Sequence, residues 1–503
     1  MNKKHFALVL ALLMLTQTAA CSNGSSVTNE SNKDGENQNA DSQTENGGDA
    51  DASSVETDAE EASLDRVRKE FDGKNYGGID FKIISEGPGD WRTFDLYSEG
   101  YDGEVINDAV YDRNLTLSQL LNVNIVDVPS NKIPADVKRM IGAQTPDYDA
   151  ILDGINLLAT MAQTKYLIDL RTIDSVHSDE SWWDNRMYEQ CTIARATYFL
   201  TGDITVMDDN GTWCYLFNKD IVNDLGLENP YTLVDEGRWT IDKHDEMAAA
   251  AVSDLNGDGK WTGEDRYGFV TEPYNTIAIW NCFGYRIAEK DENDMPYLAY
   301  DGEEQLNALT RVLETQYSDF TNLGLKTTVG ASATDTRERQ FSSGGALFYF
   351  AGFRNVPLFR DSDTDFGIIP APKYNEEQKE YNSSFSPGHT CAYGVPVTSV
   401  DPEMTGDILE CMARVGQIIL TPAYYEKTLM GKSVRDQESK PMVELIFATR
   451  NYDIGNIYNI GKMADTMFNM NDPGKVASSL ARTKKIADKA LRRFYEAFES
   501  GEN

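Results

Sequence analysis

Twelve consecutive residues have the spacing of a cation loop. In the run from Asp254 to Asp265, Asp254, Asn256 and Asp258 occupy positions 1, 3 and 5, and Gly259 sits at position 6. Lys260 offers its carbonyl at 7, Thr262 stands at 9 and Asp265 closes the loop at 12. Calcium takes six to eight oxygens, and alternate side chains on a tight loop supply them. Two positions depart from the usual pattern: Asp265 stands where Glu is common, and Trp261 fills position 8 in place of an aliphatic residue. The spacing predicts a structural calcium ion, and the competing reading is a Gly/Asp-rich surface turn without one.

Other reactive patterns are absent from the sequence. There is no HExxH, GxSxG or P-loop run, and beyond the N-terminal segment the histidines are His177, His244 and His389. Glycoside hydrolysis needs two carboxylates at a defined separation. Asp and Glu are plentiful here, but no local spacing singles out a pair. Cys191, Cys214, Cys282, Cys391 and Cys411 show neither CxxC nor zinc spacing, and are expected to be buried, reduced and packed as small hydrophobes.

The remaining candidates sit where elements are expected to end. Ile79 to Ser85 alternates as a strand, and the turn-rich loop after it carries Trp91. A strand over Asp147 to Gly154 ends in Asp153-Gly154, and an apolar run from Ile277 ends at Trp280. Asn210 to Trp213 leads into Cys214 to Asp220. Ala346 to Phe350 reads as a buried strand with Gly352, Phe353 and Arg354 at its end, and Asp365 to Pro372 as a Pro-stiffened extended segment. Between these, helical spacing covers Asp102 to Leu121, Ile133 to Ile141, Leu157 to Gln163, Asp301 to Tyr317, Met404 to Leu420 and Val476 to Phe498. Strand–helix alternation with apolar strands predicts an α/β sheet with parallel strands, and ligands in such sheets bind beyond the carboxyl ends. The tandem Trp182-Trp183 is expected to split between core and cleft.

At 503 residues the chain is too long for one core, and its formal net charge of -36 argues against nucleic acid and anionic membranes as partners. Lys3 and Lys4 precede a ten-residue apolar run, Phe6 to Leu15, too short to span a bilayer. The run ends at Thr18-Ala19-Ala20-Cys21, which resembles a bacterial lipobox, although Thr18 departs from the usual Leu. Cys21 is the expected lipidation site, and the competing reading is an ordinary secretory signal. From Ser22 to about Ala62 the residues are Ser, Asn, Gly, Asp, Glu, Gln and Thr with almost no apolar side chain, a composition expected to remain disordered.

Five motifs then occur in a fixed order: Asp147-Tyr148-Asp149-Ala150-Ile151 with Asp153, Leu216 to Ile221 with Leu225-Gly226, Gly237-Arg238-Trp239-Thr240, Phe341 to Gly344 with Leu347, and Asp365 to Lys373. Together they resemble family 1 of the extracellular solute-binding proteins of ABC importers, the maltose-binding-protein-like group, and its long lipid-anchored Gram-positive members most of all. The resemblance covers about Tyr76 to Phe498. It implies an α/β fold of the periplasmic-binding-protein-like type II, two lobes joined by a hinge with a ligand cleft between them. The implied division is 1–21 signal peptide, 22–75 acidic linker, 76–200 plus 370–398 lobe 1, and 201–369 plus 399–503 lobe 2, with crossings near Leu200 to Ile204, Gly367 to Pro372 and Pro396 to Asp401.

The resemblance further implies a sugar ligand, ABC permease transmembrane subunits as partners, a monomer on the extracellular face of the cell membrane held by its lipid anchor only, and no required cofactor. Sugar sites combine flat aromatics with a few placed polar groups. Carried over by position, the aromatic before the hinge falls on Phe353 with Arg354 beside it, where maltose-binding members carry Trp. The second-lobe aromatic falls near Trp280, the polar residue on Asp153, and Trp91 and Trp213 border the cleft. Core packing is the alternative for each. The competing functions are a cell-surface carbohydrate-active enzyme, such as a glycoside hydrolase, and an adhesive surface protein.

Overall fold

The alternating segment Ile79–Ser85 forms β1, with Phe81, Ile83 and Ile84 fully buried. A computed structural model describes residues 49–88, 94–324, 333–426, 429 and 436–499. β1 pairs in parallel with β2 (Val123–Pro129) and with β3 (Ala150–Gly154). The other strands are β4 (Trp213–Asn218), β5 (Tyr267–Val270), β6 (Ala288–Lys290), β7 (Pro296–Leu298), β8 (Thr321–Asn322), β9 (Ala346–Gly352), β10 (Phe366–Ile369) and β11 (Cys391–Gly394). Two sheets carry the architecture, ordered β11-β3-β1-β2 and β10-β4-β9-β5-β8. β11 runs antiparallel to β3, and β4 antiparallel to both β9 and β10, so the parallel expectation holds within each sheet and fails at these strands.

Helices cover both sheets, and their starts follow local chemistry. Asn218, Thr240 and Asp401 each accept an N–H from the first turn of the helix that follows, satisfying a donor that has no partner inside the helix. The helix Pro402–Pro422 begins with Pro at its first position, where no N–H is needed. It packs along the helix Val105–Leu121 over the first sheet. At Gly416 a β-carbon would lie 1.9 Å from the Asp203 carbonyl oxygen, so only glycine admits that approach.

Three expectations about organisation change. The helix Pro402–Pro422 belongs to the first lobe's core, with Ile408, Leu409, Met412 and Val415 buried among first-sheet residues, so 399–503 is not all second lobe. The crossing expected at Gly367 to Pro372 lies later: Gly367 to Ile369 is β10, paired with β4 inside the second sheet. The chain passes between sheets at Met207–Asn210 and at 383–390. There Thr212 bridges Phe385 and Ser383 bridges Arg450, so three segments lie side by side. Finally, the linker does not run to residue 75. Asp49–Glu70 is helical, and Leu64, Val67 and Phe71, spaced i, i+3, i+7, are buried in the first-lobe core.

The cysteine expectation holds: Cys191, Cys214, Cys282, Cys391 and Cys411 are free and buried. Cys21 and the N-terminal apolar run lie outside the described residues. No helix among the described residues is long and apolar enough to cross a membrane.

Candidate functional site

The carboxyl ends of the parallel strands in both sheets converge on the crossing segments. From the first sheet come Glu86, one residue beyond β1, and Asp153, the penultimate residue of β3, opposite Ala392 of β11. From the second come Glu272, just past β5, and Phe353-Arg354, just past β9. The crossing segment contributes Ser386 and His389, whose Oγ and Nδ1 share a 2.7 Å hydrogen bond.

Asp153 is the most constrained of these. It is 2% exposed, Oδ1 accepts the Gly154 N–H at 2.8 Å, and Oδ2 has no hydrogen-bond partner among the described residues. Burial pushes its carboxyl up to about 7; the Gly154 N–H opposes the shift and the neighbouring Glu86 charge adds to it. A buried acceptor left open costs free energy, and a hydroxyl or ammonium donor from a ligand would satisfy it. Arg354 is half-buried. Desolvation lowers its guanidinium to about 10, against the opposing charges of Glu272 and Glu338. The same burial, with Arg354 beside it, holds His389 down at about 4, so its imidazole is neutral at physiological pH. The junction therefore offers carboxylate acceptors, one guanidinium and a neutral imidazole, a set suited to recognising a hydroxyl-rich molecule.

The aromatic candidates fare differently. Trp213 lies at the start of β4, 9% exposed, stacked on Phe350 at 5.3 Å. Its backbone N–H donates to the Ser384 carbonyl of the crossing segment. Phe353 is fully buried against Phe447, ring centroids 4.7 Å apart, and faces core rather than ligand. Trp280 is also fully buried, in the helix Thr276–Cys282; its indole N–H donates to the Gln305 carbonyl and its ring packs on Tyr285. Both correct the sequence expectation, because an apolar ring with core on every side has no face to present. Trp91 lies outside the described residues. The tandem tryptophans do not split either: Trp182 and Trp183 both donate indole N–H groups to the Glu410 carboxylate, at 3.0 and 2.9 Å.

Sequence reasoning missed a buried ion network at the crossings. Arg450 reaches Asp208 at 3.0 Å, Asp209 at 2.9 Å and Asp184 at 3.6 Å, while the Tyr452 hydroxyl donates to Asp184. Burial raises the Asp208 carboxyl well above the usual range, with Asp209 adding and Arg450 opposing. Asp208-Asp209 in a short helix was the available signal, but nothing local points to an arginine some 240 residues away in sequence.

In the candidate calcium loop, Asp254 accepts the N–H groups of Gly257 and Gly259, Asn256 that of Asp258, and Asp258 that of Lys260. These three side chains fit the first positions of a cation loop. Asp265 does not complete it: it is fully buried and spends both oxygens on the N–H groups of Leu255 and Thr262. Among the described residues no three His, Cys, Asp or Glu side chains are gathered as a metal centre.

No protein-family model and no curated protein matches the chain. Solved structures do. An ABC substrate-binding protein from Listeria monocytogenes in complex with cycloalternan aligns at TM-score 0.51 and 13% identity, over 84% of this chain and 99% of that one. The maltose-binding periplasmic protein MalE from Listeria monocytogenes, in complex with maltose, aligns at TM-score 0.50 and 13% identity, over 85% and 100%. A family 1 extracellular solute-binding protein from Bifidobacterium longum subsp. infantis aligns at TM-score 0.50 and 14% identity, over 84% and 100%. At such identities the likeness is one of fold: the chain has the two-lobed, periplasmic-binding-protein-like type II fold that these proteins share.

Proposed function

We propose that the protein is the extracellular substrate-binding component of an ABC importer, that it captures a mono- or oligosaccharide between its two lobes, and that it delivers the sugar to the permease. The observation that carries the reading is Asp153: a carboxylate on the first sheet, buried with one oxygen unsatisfied, at the junction where Arg354 arrives from the second. The similar folds crystallised with cycloalternan and with maltose support a sugar as the ligand class. A ligand touching both lobes binds the closed arrangement more tightly, and this differential affinity drives closure.

The chain catalyses no reaction in this reading. A panel of sugars, scored by thermal shift and by product analysis, tests it. Saturable stabilisation with intact sugar is the expected result. Release of a hydrolysed product would transfer the assignment to a surface glycoside hydrolase, and a panel without any stabilisation would remove the sugar.

The anchoring reading places an acyl chain on Cys21. Metabolic labelling with a fatty acid, compared with Cys21→Ser, should mark only the unaltered chain. Calcium is proposed as a structural ion at 254–265, supported by the three side chains already fastened to one turn; Asp265 would have to turn outward to join them. Calcium titration should raise the melting temperature and EDTA lower it, and an unmoved transition would rule the ion out.

A further inference from the structure

The C-terminal helix Val476–Glu499 reverses the charge of the molecule. It carries six cationic side chains, all between Arg482 and Arg493, against three carboxylates, Asp488, Glu496 and Glu499, in a chain whose formal net charge is -36. Lys484 is paired with Asp301. The other five, Arg482, Lys485, Lys489, Arg492 and Arg493, are exposed and make no ion pair among the described residues. Their spacing of i, i+3, i+7, i+10 and i+11 gathers them on one helical face about 16 Å long. Ile486, at i+4 on the same face, is 58% exposed. Beside them a surface groove of about 550 Å³ runs between this helix and the 461–475 segment, lined by Lys462, Asp465, Thr466, Asn469, Asp472 and Ser479.

We propose that this face docks on an anionic lipid surface. Five exposed cations without an ion pair among the described residues outnumber Glu496, the exposed carboxylate on the same face, so the strip is locally cationic on an acidic chain and complements an anionic plane. At physiological salt the Debye length is about 8 Å, so an anionic plane in contact with the strip senses these cations, reduced by the nearby Asp488 and Glu496, more than the carboxylates elsewhere on the chain. A straight helical face with an exposed isoleucine among cations matches a bilayer interface, where the charges meet headgroup phosphates and the apolar side chain enters the acyl boundary. Nearness to a membrane rests on the Cys21 anchor reading; the recognition itself does not. Docking by this face would hold the second lobe against the bilayer and fix how the protein is presented to membrane partners.

The full chain carrying Cys21→Ser, which cannot be acylated, separates the two ideas. Its sedimentation with vesicles of phosphatidylglycerol and phosphatidylcholine in equal parts is compared with pure phosphatidylcholine. Binding to the anionic vesicles should be at least about tenfold stronger at low salt and should vanish at high salt. A chain with R482Q, K485Q, K489Q, R492Q and R493Q should lose that preference while keeping its melting temperature. The pair K489E/R493E should lose part of it, which keeps the test valid if the fivefold variant folds poorly. Equal binding by the unaltered and charge-removed chains would overturn the proposal. So would indifference to anionic lipid, or binding of soluble poly(glycerol phosphate) without binding of vesicles, which would assign the strip to a polymer.

Discussion

Asp153 was legible as a strand-terminal polar residue, but its state was not, because burial depends on β11 and the 386–390 segment closing over it from more than 200 residues away. The raised carboxyl makes a signed prediction. A folded-state value near 7, above an unfolded value of about 3.9, means that the stability it contributes is fully present below about pH 4. That contribution is lost as pH rises through 7. Between pH 8 and pH 5 the unaltered protein should therefore gain stability, and Asp153→Asn should gain less. Asp203, also pushed to about 7 by burial, acts in the same direction, so the difference between the two chains, measured by urea unfolding at each pH, isolates Asp153. Equal gains would show that Asp153 titrates normally. The neighbouring pair Phe353 and Arg354 divides by role. Phe353→Ala empties a fully buried site and should cost about 3–5 kcal/mol of stability. Arg354→Ala should leave the unliganded melting temperature nearly unchanged and abolish stabilisation by the sugar. Loss of ligand response in Phe353→Ala at temperatures where it remains folded would restore the phenylalanine to the site.

At the scale of elements, local pattern did most of the work where it was long and regular. β1 and the helix Val476–Glu499 sit within a residue of where periodicity puts them. The errors have physical causes. Pro370 and Pro372 stiffen a segment but do not say which sheet it leaves, so the crossing was drawn at a strand that is hydrogen-bonded inside the second sheet. The apolar run ending in Trp280 is a helix buried on all sides, and a helix without a polar face has no period to read. In Asp49–Glu70 the polar composition masked two core positions, Leu64 and Val67, with Phe71 just beyond its end. The crossings themselves depend on Arg450, which joins Asp208 and Asp209 of one crossing segment to Asp184 of the first lobe. Removing the cation would leave three buried carboxylates with no counter-charge, a cost of about 3–5 kcal/mol. Arg450→Met should therefore unfold at markedly lower urea. Arg450→Lys should recover little of the loss, because an ammonium cannot reach several carboxylates with a planar fork. Full recovery by lysine would reduce the network to simple charge balance.

For the molecule as a whole, the proposed capture of a sugar between the lobes requires closure, and several contacts limit it. Lys290 of β6, in the hairpin of the second lobe, donates to the carbonyls of Glu189 and Thr192, and the Asp294 carbonyl accepts from the Ala194 N–H. At the end of the C-terminal helix, Phe498 packs on Tyr198 at 5.6 Å. A buried cluster runs unbroken from Ile151 and Leu158 of the first lobe to Ile454 and Phe494. Close-packed interiors deform little, so rotation between lobes should pivot about this cluster and leave it intact. Closure should therefore be small. X-ray scattering should show a slight fall in the radius of gyration on saturation with the stabilising sugar. Replacing Lys290 by Ala should enlarge the unliganded radius and weaken sugar binding, because the open arrangement becomes more populated and closure must offset the difference. An unchanged radius with unchanged affinity in that variant would mean that the hairpin only covers the first lobe. A large fall in the unaltered protein would mean that the shared cluster separates during closure.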